Sequence, residues 1–168
     1  MHIKIDCRER ALEREIRGLL NALPTVSISV TMEQLPLGDA IILDSNDNER
    51  VIVERKTVSD LASSIVDGRY REQSRRLSNC GLPANRIHYV IEESIQAWQG
   101  NRVSKSALYT AMASLSFVKG FSVTNLGSVR ATANWLIALA KKVDGAQNYN
   151  EPKDYVDVAL QAKKTQIT

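Results

Sequence analysis

The chain has 168 residues, 43% of them hydrophobic, which is enough for one domain with a real core and too little for two of ordinary size. A formal net charge of +3 and a pI near 8.9 suit a polyanionic partner without specifying one. Cys7, Cys80, His2 and His88 make neither a zinc spacing nor a disulfide framework, and no apolar run nears the roughly 20 residues of a membrane span.

Ile3, Lys4, Ile5 and Asp6 alternate as a strand does, and Leu12, Ile16, Leu19, Leu20 and Leu23 then recur at helical spacing up to Pro24. Arg8, Glu9 and Arg10 interrupt any signal-peptide pattern, so a soluble, intracellular protein is expected. Asp6 ends the strand and Glu9 follows it, where α/β folds gather active-site groups. Glu9 could instead simply favour the helix amino terminus through the dipole.

Residues 26–32 alternate cleanly and predict a strand with one wet face. Two β-rich runs follow, Ala40, Ile41, Ile42, Leu43 and Val51, Ile52, Val53, Glu54, Arg55, Lys56, separated by a polar turn rich in Asn and Asp. They predict a hairpin, so three neighbouring strands are expected and Asp39 is brought to Glu54. Side chains alternate along a strand, which puts Glu54 and Lys56 on one face and Arg55 on the other. An acid opposite an acid-x-lysine is what phosphodiester hydrolysis needs. Hard oxygen ligands hold Mg²⁺, which takes few carboxylates and keeps several waters. Lys56 could orient an attacking water, stabilise developing charge or accept a proton.

Val58, Leu61, Ala62 and Ile65 predict a helix, opened by Thr57 and Asp60 at capping-box spacing; Asp60 is a cap, a partner for Lys56 or Arg55, or both. Gly68 breaks it, and the next helix carries Arg69, Gln73 and Arg76 on one stripe, with Arg71 nearby. Such a row suits a nucleic-acid backbone, because guanidinium grips phosphate bidentately, and equally suits a solvated face. Residues 86–91 read as a buried central strand with Glu92 and Glu93 at its carboxyl end, either one able to help position metal but more in keeping with a solvated strand end, and His88 reads as a core residue. A polar loop over 100–106, a helix over 107–118, a short strand over 121–124 and a helix over 129–143 complete the pattern. Small residues on those two helices permit close approach, within the domain or between subunits. From 144 onward the sequence is a polar tail.

Ile5-Asp6-Cys7-Arg8-Glu9, Gly38-Asp39, Glu54-Arg55-Lys56, Asp60 and the run Asp67-Gly68-Arg69-Tyr70-Arg71-Glu72-Gln73 together resemble the XPF-family structure-specific endonucleases, and residues 63–93 look most like their MUS-type crossover-junction branch. The resemblance covers about residues 3–143 and implies an α/β fold, a restriction-endonuclease-like mixed sheet flanked by helices. It implies Mg²⁺-dependent cutting of branched DNA such as 3′ flaps, forks and nicked junctions, with Mn²⁺ able to substitute. Asp39 and Glu54, joined by Asp6, would hold the metal. Glu9 would complete the acidic centre, Lys56 would act at the water, and Arg55 and Asp60 would support the site. Arg69, Gln73, Arg76 and Arg71 would face DNA. It also implies a homodimer, or a heterodimer with a similar subunit, through the carboxyl-terminal helices. The location would be nuclear, or wherever DNA is repaired or replicated. Family members generally continue into a tandem helix-hairpin-helix domain, which nothing after Val143 resembles. A non-catalytic DNA-binding partner subunit is the alternative, although such partners lose the acids retained here.

Overall fold

The computed structural model of the chain describes residues 1–145. Six strands form one mixed sheet: β1 (His2–Asp6), β2 (Ser29–Glu33), β3 (Ala40–Leu43), β4 (Glu49–Thr57), β5 (Ile87–Glu92) and β6 (Ser122–Leu126), in the order β2-β1-β3-β4-β5-β6. β3 runs antiparallel to both β1 and β4, whereas β1 with β2, and β4 with β5 and β6, are parallel. The hairpin is present. Its expected neighbour is corrected: β1, not the strand before the hairpin, lies against β3. β1 is the apolar ribbon, with Ile3 and Ile5 fully buried, while β2 alternates exposed and half-buried residues as an edge tolerates.

Period-two alternation sends side chains of each central strand to two separate cores. Ile41, Ile52, Tyr89 and Ile91 face α2 (Val58–Val66), α3 (Arg69–Ser78) and α4 (Lys105–Ala113). Ile42, Val51, Val53 and Val90 face α1 (Arg10–Asn21) and α5 (Val129–Gly145), which pack on each other. Thr57 caps α2 as its sequence predicts, its hydroxyl accepting from the Asp60 amide at 3.0 Å. Gly68 adopts a positive φ of 80° between α2 and α3.

The helix expected over 107–118 is α-helical only to Ala113 and finishes as a π-turn, Ser114–Val118. That turn leaves Phe117 93% and Val118 73% exposed. The last helix runs to Gly145, with Ala133, Leu136, Ile137 and Ala140 buried as predicted. Beyond it, the rest of the predicted polar tail lies outside the described residues. Among the described residues no helix is long and apolar enough to cross a membrane.

Candidate active site

The hairpin register pairs Ala40 with Val53 and so sets Asp39 across from Glu54. Two backbone features fix that approach. The Asp39 amide donates to the Val53 carbonyl at 2.8 Å, and the Arg55 amide donates to Asp39 Oδ2, also at 2.8 Å. Gly38 precedes them at φ 75°, where an added Cβ would lie 2.6 Å from Ile52 Cγ2 and 3.1 Å from the Val53 carbonyl oxygen. Only glycine lets the chain pass this close to β4, which gives the Gly-Asp pair a physical reason.

Glu54 and Lys56 share a face as predicted. Lys56 Nζ lies 3.5 Å from Glu54 Oε1, and both residues are buried. Burial, and then the charge of Glu54, push the Asp39 carboxyl up to about 7. Burial also raises Glu54, against the pull of Lys56. Two acids are therefore held where both cannot comfortably be ionised without a cation.

Asp6 occupies the next position in this row and serves it differently. Its Oδ1 accepts from the Arg8 amide at 3.0 Å and Arg8 Nε at 2.6 Å, and its Oδ2 accepts from the Leu35 amide at 3.0 Å. The Arg8 side chain, reinforced by these amides, holds the Asp6 carboxyl below the usual carboxylate range. Its own amide donates to the Asp39 carbonyl at 2.9 Å, and its carbonyl accepts from Glu9 at 2.9 Å. Asp6 thus fastens Glu9, Asp39 and the loop at Leu35 around one strand end, with both carboxylate oxygens already engaged.

Arg55 points to the opposite face and is clamped there by two carboxylates. Its Nε and Nη2 donate to the two oxygens of Glu92, each at 2.9 Å, and Nη1 donates to Glu9 Oε2. Glu9 sits at the amino-terminal cap of α1 without a side-chain bond to it, so its carboxylate serves Arg55 rather than the helix. Burial, then the charge of Asp39, raise Glu9, and Arg55 offsets them. Glu92 was expected as a solvated strand end; it is buried, and its Oε1 also accepts from Thr132 Oγ1 of α5 at 2.7 Å. Sequence reasoning missed this brace because Glu92 and Thr132 are 40 residues apart and become partners only across the sheet.

Asp60 and Arg71 are exposed. Arg69 is exposed and donates through Nε to Asp67 Oδ2 at 2.7 Å, and Arg76 donates to the Pro36 carbonyl at 3.2 Å, over the loop that leads into Gly38-Asp39. Gln73 is half-buried, its side-chain oxygen enclosed without a partner among the described residues.

Among the described residues no three or more His, Cys, Asp or Glu converge as a metal cage. The Asp39 and Glu54 pair does fit Mg²⁺, which is content with one or two carboxylates and retains its waters. The crowding that lifts Asp39 is the signature of a place for positive charge.

A mixed sheet with helices on both faces, carrying an acid across from an acid-x-lysine, defines a restriction-endonuclease-like fold. Residues 5–139 match the ERCC4 domain. The chain belongs to that family. It is 31% identical over 154 residues to a probable crossover junction endonuclease mus81 of Dictyostelium discoideum, covering 82% of this chain and 17% of the relative. It is 32% identical over 134 residues to the human structure-specific endonuclease subunit MUS81, covering 73% of this chain and 24% of the relative. The chain therefore spans a quarter or less of the length of these two relatives. XPF from Aeropyrum pernix superposes with a TM-score of 0.67 at 30% identity, covering 85% of this chain and 65% of that one. The same protein in complex with DNA gives 0.66 at 29%, covering 84% and 64%. The resemblance read from the motifs is borne out.

Proposed function

We propose that this chain is a metal-dependent endonuclease that hydrolyses a DNA phosphodiester near branch points such as 3′ flaps, forks and nicked junctions. The observation that carries the reading is the meeting of Asp39, Glu54 and Lys56 on one face of the β3-β4 hairpin, with the two acids raised by burial. Relatives named as structure-specific endonucleases, and the DNA complex of the Aeropyrum protein, support DNA as the substrate.

Asp39 and Glu54 would hold the divalent ion, Mg²⁺ or Mn²⁺. When bound, it supplies Lewis-acid polarisation of the phosphate and a water of lowered pKa. Asp39 keeps one carboxylate oxygen on the Arg55 amide and offers the other; Glu54 keeps one towards Lys56. Lys56 holds its ammonium beside the acids, where negative charge grows on the phosphate during attack. Arg55, clamped by Glu9 and Glu92, fixes the strand that carries both flanking residues. Asp6 locks the turn and the loop around them and stands beside the pair that would hold the ion. Arg69, Arg71 and Arg76 would meet the DNA backbone, and Gln73 would lie beneath them. Asp60 would stand at the mouth of the site. A similar subunit would cover Phe117 and Val118, beside the carboxyl-terminal helices, as the word subunit in the names of relatives suggests. The place of action would be wherever DNA is repaired or replicated, the nucleus included.

The test incubates the purified chain with labelled flap, fork, nicked-junction and linear duplex DNA, in Mg²⁺ and in EDTA. Nicking of the branched substrates in Mg²⁺ alone is expected. Binding without scission would convert the reading to a scaffold subunit.

A further inference from the structure

Three enclosed polar side-chain atoms have no partner among the described residues: Gln73 Oε1, His88 Nδ1 and Tyr89 Oη. A buried group left unpaired costs about 1–3 kcal/mol, so each calls for a cause. His88 has one. Its ring lies 5.3 Å from Trp135, and burial, aided by Arg86, lowers it to about 4, so it is a neutral imidazole with a spare acceptor.

Tyr89 has no such excuse. The ring is fully buried and stacks on Phe121 at 5.8 Å, work that phenylalanine would do without a stranded hydroxyl. The hydroxyl's surroundings are informative. β5 is parallel to β4, and the register places Tyr89 beside Glu54. Both belong to the side covered by α2 and α3, where Tyr70 and Leu77 share a core with Tyr89. A phenol is protonated at neutral pH, so this hydroxyl stands beside Glu54 as a donor. The hydroxyl and the Glu54 carboxylate are neighbours on adjacent strands with no direct hydrogen bond between them.

We propose that Tyr89 is a positioning residue of the nuclease centre, its hydroxyl donating through one ordered water to the Glu54 carboxylate. The inference rests on the endonuclease reading. A buried water needs two to four polar partners. Tyr89 Oη and Glu54 supply two, and Gln73 Oε1, the remaining orphan, lies on the same side of the sheet on α3. Lys56 draws one Glu54 oxygen; the water-mediated bond would steady the carboxylate against rotation and keep it turned to Asp39.

The Tyr89→Phe variant separates this from simple packing, because it keeps the ring. Calorimetric titration with Mn²⁺ in the absence of DNA should show a dissociation constant raised about fivefold, the weight of one hydrogen bond. In cleavage, kcat should fall with KM for DNA unchanged. An unchanged Mn²⁺ affinity with equal or higher Tm would overturn the assignment and leave the endonuclease reading standing. Wild-type protein that takes up no Mn²⁺ would sink the endonuclease reading itself. A high-resolution crystal structure gives a second reading that needs no variant: a water within about 3 Å of both Tyr89 Oη and Glu54 is expected, and a dry hydroxyl would refute it.

Discussion

The two faces of β4 at Glu54, Arg55 and Lys56 are built from consecutive residues and yet have opposite characters. On one, two raised acids and a lysine leave negative charge unfinished. On the other, Arg55 spends its donors on Glu9 and Glu92, and Glu92 is held again by Thr132. A strand's alternation alone produces this division. The incomplete face can take a cation; the complete face holds the strand still while it does. One motif thus encodes both the proposed ligand site and its support.

Breaking the incomplete face should have the largest effect. Glu54→Gln and Asp39→Asn should each lower Mg²⁺-dependent cleavage by at least about 10²–10³-fold, the scale of removing one preorganised electrostatic group. Circular dichroism should be unchanged. Substantial cleavage by either variant at saturating metal would end its assignment as a ligand. Asp39→Asn should also raise the metal-free Tm, since it removes one of two crowded charges.

Breaking the complete face should instead show in stability. Arg55→Met leaves Glu9 and Glu92 facing each other with no cation, and stranding one partner of a buried pair costs about 3–5 kcal/mol. Thr132→Val removes only one bond to Glu92 and should cost about 1 kcal/mol. Urea denaturation measures both. Equal midpoints for Arg55→Met and wild type would mean that the brace bears nothing.

Proton linkage sharpens the same contrast. Asp39 has an unfolded value of 3.8 and a folded value of about 7, so between those limits the folded state binds more protons than the unfolded. Stability of the metal-free protein should therefore fall as pH rises from about 4 to 7 and level off above. Glu54 and Glu9, raised as well, act in the same direction. A divalent cation selects the ionised acids, so the Tm gained from saturating Mg²⁺ should be larger at pH 8 than at pH 5.5. Asp39→Asn should flatten the metal-free profile; an equally steep slope would assign it to other groups.

The incomplete face was legible in the sequence and the complete one was not. Gly38-Asp39 and Glu54-Arg55-Lys56 lie in a hairpin, so turn chemistry and period-two alternation bring them together with no further knowledge. The partners of Arg55 come from the residue before α1 and from the end of β5, and the second partner of Glu92 from the first turn of α5, elements whose neighbours are set by sheet order. Nothing local distinguishes Glu92 from Glu93, yet one is buried on an arginine and the other is an exposed residue at φ 75°. Sheet order itself was misjudged for the same reason. Whether β1 or β2 lies against the hairpin depends on which ribbon can be buried on both sides, a property of the assembled core.

The smallest expected effect belongs to the arginines of α3, which neither face of β4 requires. Arg69 is exposed and held by Asp67 at 2.7 Å, so a phosphate would have to compete for it. Arg69→Ala should weaken DNA binding by only a few-fold and leave Tm unchanged. It should reduce the slope of log affinity against log salt by about 0.9, one duplex phosphate contact. Asp67→Asn frees the same guanidinium and should move affinity the other way. The pair of variants is more telling than either alone: opposite shifts in affinity with one shared cause would place Arg69 on the DNA, whereas an unchanged salt slope in both would return this helix to a solvated surface.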